Sequence, residues 1–146
     1  MSEQESKKLF EEGIEYFHKK DFFLAEEKFE KALKLYPDRT SILENLAIVD
    51  FINNRYYKSE DLLNRLIELG ADSIKVFNLK FKVLKKLDKI KELKSYINNN
   101  LVSKNLDLKY KIIKDFLYPT FFDDQKDIDE TREEFSKSLN KLEKTS

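Results

Sequence analysis

Shifted by 34 residues, the chain falls on itself. Leu9 lands on Leu43 and then on Phe77, Phe22 on Tyr56 and Ile90, Phe29 on Leu63 and Ile97, and Leu35 on Leu69. Lys19-Lys20-Asp21 lands on Asn53-Asn54-Arg55 and then on Leu87-Asp88-Lys89, while Pro37-Asp38 lands on Ala71-Asp72. A period of this size constrains the fold more than composition does. Each copy is one supersecondary unit that cannot bury both of its faces alone, so the copies must stack.

The first copy shows what that unit is. Leu9, Phe10, Gly13, Ile14, Tyr16 and Phe17 form a broad apolar face at helical spacing. His18, Lys19 and Lys20 suit a helix C-terminus, where the macrodipole is negative, and Asp21 can accept the orphan N–H groups of a following helix. Phe22, Ala25, Phe29, Ala32 and Leu33 continue a second helix, which Pro37 stops because Tyr36 before it is pushed away from the α region. With only 2 glycines and 2 prolines, the chain has little turn chemistry for a β-protein, and the expected class is all-α. Gly13 and Ala25 are expected where the two helices cross, since small side chains let the backbones approach. Ala25 becomes Ser59 and then Leu93 in the later copies, and Phe81 falls where Gly13 and Ala47 stand, so the third pair is expected to cross differently.

Three copies are expected without insertion, at 6–39, 40–73 and 74–101, followed by a C-terminal segment, 102–146. In that segment Leu108, Ile112, Ile113, Phe116 and Leu117 give a capping helix its apolar stripe. Phe121 and Phe122 are expected anchors in an extended stretch, and Asp123 or Asp124 caps a last, highly charged helix. Ile128, Phe135, Leu139 and Leu142 form the narrow apolar stripe of that helix, which either docks on its own chain or waits for a partner. Weak self-association through Phe135, Leu139 and Leu142 is one expectation.

The residues offer little chemistry. There is no cysteine and a single histidine, His18, placed on a hairpin connector rather than beside a nucleophile. Adjacent carboxylates such as Glu11/Glu12, Glu26/Glu27, Asp123/Asp124 and Glu133/Glu134 diverge by about 100° on a helix and read as a solvated face. No glycine-rich phosphate loop is present, and no catalytic residue, cofactor or metal is expected. Lys+Arg and Asp+Glu both count 28, a balance that argues against nucleic acid as the main partner. No apolar run approaches a membrane span, and the polar start "MSEQESKK" has no signal-peptide core, so the expected setting is the cytoplasm, without a membrane partner.

Gly13, Tyr16, Ala25, Phe29, Ala32 and Pro37 stand at the spacing G-x2-Y…A-x3-F-x2-A…P, and here the first copy resembles a tetratricopeptide repeat. Leu9 takes the place of that family's tryptophan, and Glu12 departs from its usual leucine. The second copy keeps Leu43, Leu46, Ala47, Ser59 and Leu63; the third keeps the period and loses the small residues. The resemblance implies a right-handed superhelix of three helix-turn-helix repeats plus two C-terminal helices. It implies an interaction scaffold without catalysis, in which the first helix of each pair lines a concave groove. The partner-binding residues it implies are Phe10, Ile14, Phe17, Asn45, Ile48, Phe51, Lys75 and Lys82, apolar at one end and basic at the other. A protein or peptide partner, such as an amphipathic helix with acidic flanks, suits that gradient. The apolar members can equally be core, or be covered by the C-terminal helix. Some relatives grip acidic chaperone tails through five polar positions; here these are Phe10, Ile14, Asn45, Lys75 and Leu79, three of them apolar, which argues against such a clamp. The tail also resembles the segment before the catalytic domain of bacterial glycosyltransferases similar to O-linked N-acetylglucosamine transferase. Phe116, Leu117, Pro119, Asp124, Ile128, Arg132, Phe135 and Leu139 carry that resemblance. It implies a substrate-positioning module or fragment that lacks the catalytic domain.

Overall fold

The computed structural model describes residues 2–106, 108–117 and 125–145. The expected class holds: these residues form eight helices and, among the described residues, no strand. The helices are α1 (Ser2–His18), α2 (Phe22–Leu35), α3 (Thr40–Ile52), α4 (Tyr56–Glu68), α5 (Ile74–Lys86), α6 (Ile90–Asn100), α7 (Leu108–Asp115) and α8 (Gln125–Thr145). Pro119, Phe121, Phe122, Asp123 and Asp124 lie outside the described residues.

The period is written into the turns. Lys20, Asn54 and Asp88, each 34 residues from the next, adopt φ of 62°, 63° and 56°. The residue after each closes the same long bond: Asp21 N–H donates to Tyr16 O (2.9 Å), Arg55 N–H to Asp50 O (2.7 Å) and Lys89 N–H to Leu84 O (3.0 Å). This left-handed C-terminal motif satisfies carbonyls that the helix end would otherwise orphan. Asp21 caps α2 as expected, its Oδ1 accepting from Leu24 N–H at 3.2 Å. The matching positions, Arg55 and Lys89, make no side-chain cap.

Contacts gather the chain into two compact units, residues 1–83 and 84–146. In the first, α1 packs on α2, α2 on α3, and α3 on α4. Its core centres on Ala25, Phe29, Leu46 and Val49, all essentially without exposure. Gly13 lies hard against α2: a Cβ there would lie 2.5 and 2.6 Å from two ring carbons of Phe29. The expected place of the small residues is thus where the helices meet, and the group that needs the space is a buried phenyl ring. Ser6 and Ser59 are buried and donate across to the partner helix, Ser6 Oγ to Ala32 O at 3.1 Å and Ser59 Oγ to Ala47 O at 2.8 Å. In the second unit Leu84, Ile90, Leu93, Ile97, Leu106 and Leu117 are buried.

Candidate functional site

Phe10, Ile14 and Phe17 follow one another at four and three residues, so they share one face of α1 within about 60°. All three are half-buried and pack against the core formed by Ala25, Phe29, Leu46 and Val49. The Phe10 ring lies 5.6 Å from that of Phe29, and Phe17 meets Phe22 edge-on at 5.5 Å. Each therefore gives one side to the core and keeps another open, which joins the two placements the residue types allowed. On α3, Asn45, Ile48 and Phe51 are half-buried. Asn45 Nδ2 donates to Ser41 O at 2.8 Å, and the Phe51 ring turns to Tyr56 at 5.5 Å. Lys75 and Lys82 are exposed on α5, and Lys75 Nζ stands 3.2 Å from Glu44. Lys75, one of the two polar members left for a carboxylate clamp, is thus already paired.

A second constellation lies where α2, α3 and α4 meet, and sequence reading passed over it. Asp50 is fully buried on α3, and neither of its oxygens has a hydrogen-bond partner. Burial, then the charge of Glu26, pushes its carboxyl up to about 7, with Lys58 pulling the other way. Glu26, expected on a solvated face, is buried as well. It accepts from Asn53 Nδ2 at 2.7 Å and Arg55 Nε at 2.9 Å. Burial raises its pKa, but those hydrogen bonds and the charges of Arg55 and Lys58 outweigh it and hold it below the usual carboxylate value. Lys58 Nζ bridges onward, 2.6 Å from Glu30 and 3.4 Å from Glu26. Beside these groups is a cavity of about 450 Å³ walled by Leu33, Leu46 and Leu62.

The sequence profile described as tetratricopeptide repeat matches residues 6–39, the span of α1, its turn and α2. The chain carries a tetratricopeptide repeat. No curated protein matches it in sequence. Solved structures match its fold. The first tetratricopeptide domain of Spaghetti (RPAP3), bound to the HSP90 peptide SRMEEVD, is 19% identical with a TM-score of 0.64, over 76% of this chain and 88% of that one. The second such domain of human RPAP3, in complex with the HSP70 peptide SGPTIEEVD, is 15% identical with a TM-score of 0.65, over 78% and 95%. MamA (41-end) from Desulfovibrio magneticus RS-1 is 17% identical with a TM-score of 0.66, over 97% and 77%. At these identities the likeness is one of fold.

Asp50 stands 34 residues after Tyr16, the tyrosine of the matched repeat. That substitution, a carboxylate in the apolar run "ILENLAIVDFI", was the available signal for the second constellation. In the second unit, α8 docks on α7: the Phe116 and Phe135 rings meet edge-on at 5.8 Å, and Ser138 Oγ donates to Asp115 O at 3.0 Å. Lys141 reaches Asp115 at 3.3 Å, and Lys94 reaches Glu134 at the same distance. Phe135, Leu139 and Leu142 remain about two-fifths exposed. Of the tail residues that carry the glycosyltransferase resemblance, Phe116, Leu117, Ile128, Arg132, Phe135 and Leu139 are described; Pro119 and Asp124 are not. Among the described residues, no helix is long and apolar enough to cross a membrane.

Proposed function

We propose that this chain is a protein-interaction scaffold whose first unit receives a peptide, and that the peptide is an amphipathic helix with acidic flanks. The reading rests above all on the half-buried row Phe10, Ile14 and Phe17, three apolar side chains seated on the core by one side only. Ile48 and Phe51 extend the apolar end, Asn45 supplies a polar contact, and exposed Lys75 and Lys82 meet the acidic flank. The repeats at 6–39, 40–73 and 74–101 form the scaffold in this reading, with 102–146 as its C-terminal cover. Binding in a cytoplasmic setting, with no chemical step, is the whole of the activity. The RPAP3 domains hold chaperone peptides ending in EEVD. This chain has Phe10, Ile14 and Leu79 at three of the five clamp positions, so an apolar helix face suits it better than a carboxylate tail.

Fluorescence polarisation with the full chain tests this. The probes are a synthetic amphipathic helix with glutamates at its ends, the same helix with neutral ends, and an EEVD-ending peptide. Ile48→Lys should weaken the acidic-ended helix by at least about tenfold. Lys75→Glu with Lys82→Glu should weaken it while sparing the neutral-ended helix. Equal binding by all variants, or preference for the EEVD-ending peptide, would sink the proposal.

A further inference from the structure

The meeting point of α2, α3 and α4 is not used by the peptide reading. Ile48 and Asp50, two residues apart on α3, point about 160° away from each other. Asp50 therefore serves something other than the proposed groove. A buried carboxylate without a hydrogen-bond partner is costly to keep unless a counter-charge reaches it. One oxygen each from Glu26, Glu30 and Asp50 lies within 4.8 Å of the other two. Glu26 is held in place by Asn53 on Oε2 and by Arg55, whose Nε stands 2.9 Å from Oε2 and 2.8 Å from Oε1, the kind of outer contact that orients a metal ligand. Two cations reach the cluster: the Arg55 guanidinium on Glu26, and the Lys58 ammonium across Glu26 and Glu30, the latter on a half-exposed, flexible side chain that can withdraw to solvent.

We propose that Glu26, Glu30 and Asp50 form a binding site for a hard divalent cation, calcium foremost, which enters by displacing the Lys58 ammonium. The donors are all carboxylate oxygens, the set that suits hard cations rather than thiolate- or imidazole-seeking metals. Oxygens that all lie within 4.8 Å of one another can close on a single calcium ion at roughly 2.4 Å each, and calcium's flexible coordination accepts such an irregular set where magnesium, at roughly 2.0–2.1 Å, demands a near-ideal octahedron. Three side chains leave most of the coordination to water, and the adjoining cavity of about 450 Å³, which Asp50 and Glu30 both line, has room for it. The single unpartnered group of the cluster, Asp50, gains its missing counter-charge. A dipositive ion replaces one positive charge with two among three carboxylates.

Calorimetric titration and thermal melts of the full chain decide the matter, with calcium chloride, magnesium chloride and sodium chloride at matched ionic strength. Calcium at about 10 mM should raise Tm by on the order of 5 °C above the sodium control, with magnesium giving less. Asp50→Asn should lower calcium affinity by at least about tenfold, since a neutral amide replaces a charged ligand. Lys58→Met should raise it by at least about threefold, because the competing ammonium is gone. Far-UV circular dichroism checks that Asp50→Asn folds; if it does not, Glu30→Gln at the rim of the site takes its place. No calcium response beyond the salt control would overturn the proposal. So would unchanged affinity in the carboxylate variant, or weaker binding in Lys58→Met.

Discussion

Replacing Asp50 by asparagine should remove a pH dependence of stability that the wild-type chain carries. The Asp50 carboxyl moves from 3.8 to about 7 on folding, a shift of about three pH units. At 1.36 kcal/mol per unit, that is a ceiling of about 4 kcal/mol, reduced in practice by any relaxation around the charge. The folded state holds this proton more tightly than the unfolded chain does. The contribution is therefore complete below about pH 3.8, falls as pH rises toward about 7, and is gone above it. Glu26 and Glu30 of α2, and Arg55 and Lys58 at the start of α4, face the same group and are present in both proteins. Glu26, whose pKa is lowered, acts in the opposite sense: its stabilisation is lost as pH falls. Comparing wild type with Asp50→Asn cancels such shared terms to first order. Urea unfolding in chelator-containing buffer, at about pH 4.5, 6 and 7.5, is the assay. The variant's advantage over the wild type should be small near pH 4.5 and grow by roughly 1–3 kcal/mol by pH 7.5. A stability difference that does not change with pH, or one that favours the wild type more at high pH, would refute the argument that Asp50 is buried without a partner.

Gly13→Ala pits two effects against each other. Helix propensity favours alanine by about 1 kcal/mol, while a Cβ 2.5 Å from the Phe29 ring overpacks a closed core by roughly 1–3 kcal/mol. A net loss is expected in chemical denaturation, and Phe29→Leu in the same chain should recover part of it; a more stable Gly13→Ala single variant would mean that the helices do not meet there. Asn54→Gly, at φ 63°, should be neutral to stabilising by up to about 1 kcal/mol, since glycine enters the left-handed region without a Cβ penalty. A clear drop in Tm would contradict the turn geometry.

How much of this was legible before folding follows from where each property is stored. The helices, their turns and the 34-residue period are local. Apolar residues three and four apart, Asp21 as a cap and Pro37 as a stop act on neighbours within a turn or two, so the residue string alone announces them. The left-handed turns at Lys20, Asn54 and Asp88 recur at the period, although none of the three is glycine. The row Phe10, Ile14 and Phe17 was equally legible as a face. Whether that face is core or surface was not, because only the packing of α1 on α2 and α2 on α3 sets how far each ring is covered.

Tertiary structure alone decided the state of Asp50. Its chemistry depends on Glu26 and Glu30, more than a helix away in sequence, and on Arg55 and Lys58 beyond the next turn. In the unfolded chain these are five solvated charges with ordinary behaviour. Packing α2, α3 and α4 together removes water from one carboxylate, pairs another with Asn53 and Arg55, and sets Lys58 across Glu26 and Glu30. Residue spacing encodes which face of a helix is apolar. The free energy of a charge is set by what surrounds it in space, and those surroundings exist only once the helices have packed.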